Sequence, residues 1–132
     1  MKYFFVLFFF FCVFSARALK IDFNHRDPRH KQCVGHNFGQ GQINLLNRGD
    51  LVDPNCPEYS RHLMCIWKQM GVMNEDGILD KGVITEKIDD FSNSNQDDIK
   101  TAQNCIVQKK TPQKTANDFY NCIHHLVKKY NS

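Results

Sequence analysis

The chain has 132 residues and six cysteines, with 17 Lys plus Arg against 14 Asp plus Glu. Basic residues cluster no further than the pairs Lys109-Lys110 and Lys128-Lys129. There is then no polyanion-binding stripe and no RNA-binding signature, which argues against a nucleic-acid partner. The length suits a single domain with a modest core, the kind that gains from disulfide staples.

Lys2 is followed by an unbroken apolar run from Tyr3 to Phe14, too short to span a bilayer, and Ala16-Arg17-Ala18 offers the small-x-small pattern of a cleavage site. This predicts a signal peptide over 1–18, a single mature domain over 19–132 and a secreted, extracellular product, against the alternative of an N-terminal membrane anchor. Seven of the 11 Phe residues, Cys12, Lys2 and Arg17 would leave with the leader, so the remaining charge is nearly balanced. Cys33, Cys56, Cys65, Cys105 and Cys122 would remain, in a compartment where disulfides persist. An odd number leaves one thiol over. No Asn-x-Ser/Thr sequon occurs.

Beyond the leader the apolar spacing is helical and no stretch alternates with period two, which predicts an all-α bundle of about six short helices. The segment from 20 to 36 is interrupted by Pro28, with Gln32-Cys33-Val34 closing a helical piece. Leu45 and Leu46 belong to a short helix that stops at Asn47-Arg48-Gly49-Asp50. Tyr59, Leu63, Ile66, Trp67 and Met70 form a stripe on the next helix, which starts near Pro57 and ends before Gly71. Ile84, Ile88 and Phe91 mark a third helix. Ile99, Ala102 and Ile106 mark a fourth, led in by Ser94-Asn95 and by Asp97-Asp98 at the positive end of its dipole. The last helix spans roughly 112–129, with Thr111 as N-cap and Pro112 at N1. Its residues Ala116, Phe119, Tyr120, Ile123, Val127 and Tyr130 fall within an arc of about 100°.

The residue types that usually carry chemistry lack the necessary arrangement. His124 and His125 are adjacent but diverge on the last helix, so solvent-facing histidines are expected rather than a metal pair. Asn74-Glu75-Asp76-Gly77 can be aligned with a calcium loop only by placing Val72 and Val83 at its two end ligand positions, so a plain turn is expected. Neither Gly-x-Ser-x-Gly nor His-Glu-x-x-His is present. The expectation is a non-enzyme with no cofactor and no metal.

The cysteine spacing, taken with the words between, is more specific. Cys33, then Cys65 inside CIWKQMGVMNEDGILD, then Cys105, then Cys122 inside KTANDFYNCIHHL, resembles the insect odorant-binding protein family of pheromone and general odorant-binding proteins. That family's six-cysteine pattern leaves three residues between its second and third cysteines and eight between its fifth and sixth. Here Arg61 and Gln113 stand at the two missing positions. The family bridges first to third, second to fifth and fourth to sixth cysteine, so the two absent residues would have been partners. The resemblance thus points to the minus-C type with four of the six pattern cysteines. It implies the pairs Cys33–Cys65 and Cys105–Cys122, with Cys56 unpaired; pairing of Cys56 with Cys33 is the alternative that spacing leaves open.

The resemblance further implies two disulfides stapling a helical bundle around an apolar cavity, in which a small hydrophobic molecule is carried through extracellular fluid. The apolar ligand-binding set expected on this chain is Leu63, Trp67, Met70, Met73, Ile88, Phe91, Phe119, Tyr120 and Ile123, though the same periodicity describes an ordinary core. Tyr120 or Tyr130 is the expected hydroxyl for a polar ligand head. A membrane chemoreceptor is the candidate second partner, and monomer and dimer both stay open. Two other readings stay beside olfactory transport: a non-olfactory carrier or effector of saliva, venom or reproductive fluid, and a secreted interaction protein with a filled core.

Overall fold

The computed structural model describes Ile21, Phe23 and residues 39–132. The predicted leader, the helical piece ending at Val34 and Cys33 lie outside the described residues. Within them are five helices and no strand: α1 Gln40–Asn47, α2 Pro57–Gln69, α3 Lys81–Ser92, α4 Gln96–Asn104 and α5 Pro112–Asn131. None of these is long and apolar enough to cross a membrane.

Local chemistry accounts for the helix starts. Thr111 accepts a hydrogen bond from the Lys114 amide at 3.1 Å and Pro112 opens α5 with its ring already at helical φ. Asp80 caps α3 through the Val83 amide and Asn95 caps α4 through the Asp98 amide, each at 3.1 Å. At α1 the Gly39 amide donates to the Gln42 side chain. The left-handed residues Gly49, Gly71 and Asn93, with φ of 76°, 78° and 53°, come just after the ends of α1, α2 and α3. Ile106, expected within the fourth helix, lies just past its end, beyond the C-cap at Cys105.

α2 and α5 pack side by side as the main helix pair, and α3 packs on α4 as the second. Between α2 and α5 the indole of Trp67 donates to the Ala116 carbonyl at 3.2 Å, and the Asn117 amide donates to Ser60 Oγ at 2.9 Å. Trp67 also meets Phe23 and Phe119 edge-on, each with ring centroids 5.3 Å apart, and Phe23 meets Tyr120 in the same way. Such edge-to-face contacts fix ring orientation in addition to burying area.

One side of α5 holds an irregular stretch of chain rather than a helix. The Tyr120 hydroxyl reaches the carbonyls of Leu46 and Asp50 at 3.0 and 2.7 Å. Asn121 pairs with both backbone groups of Val52, at 3.0 and 2.9 Å. His124 Nδ1 lies 2.9 Å from the Gly49 carbonyl, to which it donates in the Nδ1–H tautomer. The expectation that both histidines face solvent is therefore corrected for His124, which is half-buried; His125 is exposed. Asn131 closes the far end by bonding both backbone groups of Ile21 and the carbonyl of Asn47.

Two glycines test this account in opposite directions. A Cβ on Gly49 would lie 2.5 Å from the His124 carbonyl and from the Lys128 amide, at a positive φ. Gly41 lies inside α1 with nothing within 4 Å of such an atom. Gly49→Ala should lower the unfolding free energy by at least about 2 kcal/mol, while Gly41→Ala should raise it by about 0.5–1 kcal/mol, both read from urea melts.

Candidate apolar binding site

The site forms where the two helix pairs meet. Trp67 and Met70 come from the end of α2, and Val72 follows in the turn. α3 contributes Ile84, Ile88 and Phe91 from successive turns of its inner face, and α5 contributes Phe119 and Ile123. Ile21 and Lys87 complete the lining. The pocket is partly open and its volume is about 20 Å³, room for a water molecule or so. A ligand must therefore part the walls to enter.

Six of the nine residues expected from sequence line this pocket: Trp67, Met70, Ile88, Phe91, Phe119 and Ile123. Leu63, Met73 and Tyr120 do not, and each is at most 1 % exposed in the surrounding core. Ile21, Val72, Ile84 and Lys87 are lining residues that the sequence expectation lacked. Ile84 shares the stripe of Ile88 and could have been included on that ground. Lys87 carried no signal that a pattern of apolar residues could register.

Neither tyrosine offers a free hydroxyl. Burial, with the charge of Asp50 nearby, pushes the Tyr120 phenol well above its ordinary pKa, and its proton is already shared between two carbonyls. Tyr130 donates to Asp98, as does Lys129 at 2.7 Å. The Lys129 ammonium and then the Tyr130 hydroxyl hold the Asp98 carboxyl below its ordinary range.

Restraints on the walls are uneven. α4 is tied to α5 at both ends: Asp98 meets Lys129 and Tyr130 near its start, and a Cys105–Cys122 disulfide with Cα atoms 5.7 Å apart follows its end. α3 reaches the rest mainly through α4, where Gln103 donates to Thr85 Oγ1 at 3.2 Å, and through the turn before it. In that turn Asn74 Oδ1 accepts from the amides of Asp76 and Ile78, and an isolated bridge joins Met73 to Leu79. Gln108 grips the turn from outside, accepting from the Leu79 amide and donating to the Gly77 carbonyl. Asn74 thus serves the turn itself. Among the described residues no group of three or more His, Cys, Asp or Glu could hold a metal ion.

On the opposite side, Arg61 and Gln113 line one open groove of about 410 Å³ between the starts of α2 and α5. Cys65 is disulfide-bonded, and its expected partner Cys33 lies outside the described residues. Cys56 is a free, half-buried thiol at the N-cap of α2, donating to Glu58 Oε2 at 3.1 Å. That bond is the main reason the Glu58 carboxyl is lowered.

Among the described residues the fold is a small helical bundle stapled by a disulfide, with an apolar pocket at the junction of two helix pairs. The family model described as the PBP/GOBP family matches residues 23–125, and the chain belongs to that family. It is similar to the B2 protein and the B1 protein of Tenebrio molitor, 28 % identical to each over 81 residues. The matched stretch is 61 % of this chain, 62 % of B2 and 61 % of B1, so it spans less than two thirds of these relatives. No solved structure matches the chain significantly.

The Asp98 clasp predicts an acid-side stability change. Because the folded carboxyl is depressed, its contribution is complete above the unfolded value of about 3.9 and is lost as pH falls through the lower folded value. Melting temperatures of wild type and Asp98→Asn should differ at neutral pH and converge toward pH 2; a constant gap across that range would exclude this role.

Proposed function

We propose that this chain is a secreted carrier that takes up a small hydrophobic molecule, an odorant, a pheromone or a similar compound, at the junction of α3 with the α2–α5 pair. Residues 1–18 act as the signal peptide and 19–132 as the single mature, extracellular domain. The observation that carries the reading is the wall itself, apolar at every lining position but Lys87, at the junction where backbone contact is thinnest. Binding is driven by desolvation, with no covalent step, no enzyme activity and no cofactor. Trp67, Met70, Ile84, Ile88, Phe91, Phe119 and Ile123 form the contact surface. Chemosensory delivery to a membrane receptor is the first reading of the biology, and transport in another secreted fluid is the second. Tissue of expression separates them.

Trp67 is the single tryptophan and is 1 % exposed. Its emission reports directly on entry to this site. Uptake of N-phenyl-1-naphthylamine should shift or quench it, and an apolar competitor should displace the dye. Dye uptake without any change at Trp67 would place the ligand elsewhere. The small pocket volume favours one rival, an interaction protein with a filled core linked through Cys56. In that case monomer takes up no dye and a dimer band appears on a non-reducing gel.

The minus-C assignment belongs to the same proposal. The common groove of Arg61 and Gln113 supports it, because a bridge between those positions would join α2 to α5 there. In a Cys56→Ser background, Arg61→Cys with Gln113→Cys should form a disulfide and add about 2–4 kcal/mol of stability. Failure of the pair to bridge under oxidising refolding would sink the alignment.

A further inference from the structure

We infer that the preferred ligand is a linear amphiphile with an anionic head, a fatty carboxylate, and that Lys87 selects it; this rests on the carrier reading above. Lys87 is the one charged residue in the pocket wall. On α3 it falls between Ile84 and Ile88, with Phe91 one turn further on, at the i+3 place of the stripe where helical period calls for an apolar side chain. Its i−4 and i+4 neighbours are Val83 and Phe91, and the carboxylate at i+3, Asp90, is exposed and forms no ion pair with it among the described residues.

Lys87 is half-buried, and its ammonium has no hydrogen bond or ion pair among the described residues. The contrast with other lysines is direct. Lys129 is paired with Asp98, and Lys109 and Lys114 with Asp118. A lysine stem can line an apolar wall while its charge stays at the rim, so the residue presents a hydrophobic surface inward and a donor at the mouth. A ligand that fits both needs an apolar chain to fill the parted junction and an anionic group at the chain's end. An alcohol or ester of the same chain supplies the first and gains only a weaker, uncharged hydrogen bond at the second.

The position of Lys87 on α3, which packs on α4 rather than on the α2–α5 pair, couples selection to opening. When α3 moves outward to admit a chain, Lys87 moves with it and remains at the rim, where a carboxylate arriving last closes the contact. The two hydroxyls that sequence put forward for a ligand head, on Tyr120 and Tyr130, are occupied within the protein, which leaves Lys87 as the polar partner available at this wall.

The test is dye displacement at pH 7.5 by dodecanoate, dodecanol and methyl dodecanoate, with wild type, Lys87→Met and Lys87→Arg, Trp67 emission serving as the site report. Wild type should bind dodecanoate about tenfold more tightly than the alcohol or the ester. Lys87→Met should lose that preference, its dodecanoate affinity falling to about that of the alcohol, with an unchanged far-ultraviolet circular dichroism spectrum showing that it is folded, and Lys87→Arg should keep the preference. Equal binding of acid and alcohol by wild type, or a preference that survives in Lys87→Met, overturns the inference and leaves the carrier reading standing. Failure of the dye and all three compounds to bind any of the proteins overturns both.

Discussion

The structure depends first on the seating of Trp67 between α2 and α5. Its indole nitrogen would be a costly orphan in a core, and the Ala116 carbonyl satisfies it. Its faces and edges order Phe23 and Phe119 around it, and Phe23 in turn orders Tyr120. With α2 and α5 so fixed, α5 can hold the segment after α1 through Tyr120, Asn121 and His124, whose spacing puts them on neighbouring turns of one side. Trp67 also borders the pocket, so the same ring that organises the rigid pair forms the stationary wall of the site.

The other wall is held differently. α4 is anchored to α5 by a disulfide after one end and a carboxylate clasp at the other, and α3 is carried on α4. Rigidity is thus concentrated on one side of the pocket and compliance on the other. A pocket of about 20 Å³ is compatible with a carrier only under such an arrangement, since close-packed cores resist uniform expansion but can separate along a sparsely bonded boundary. The groove holding Arg61 and Gln113 lies on the rigid side, where a further staple would act on the α2–α5 pair rather than on α3.

Much of this was legible in the chain because it is local. Thr111 and Asn95 announce helix starts through bonds to amides three residues on, and Gly71 announces an end through its positive φ, whereas the Asp80 cap of α3 emerged only with the structure. The cysteine words gave the family without any coordinates. Other features could not be read. Leu63 and Trp67 sit one turn apart on a single apolar stripe, yet Leu63 is packed in the core and Trp67 borders the pocket. Helical period reports which side faces inward and carries no information on what stands opposite. His124 reads as polar surface and Asn121 carries no signal, because their partners are backbone carbonyls and amides of an irregular segment, which have no residue-specific signature.

The sequence by itself therefore determined the helices, their caps and turns, the apolar face of each and the family, all consequences of interactions spanning a few residues or of a pattern of residue identities. Only the tertiary structure decided which apolar residues meet a void, which hydroxyls are already engaged, and that Lys87 stands in an apolar wall without an ion pair among the described residues. Those outcomes depend on contacts between residues far apart in the chain, and on how little α3 shares with the pair it faces.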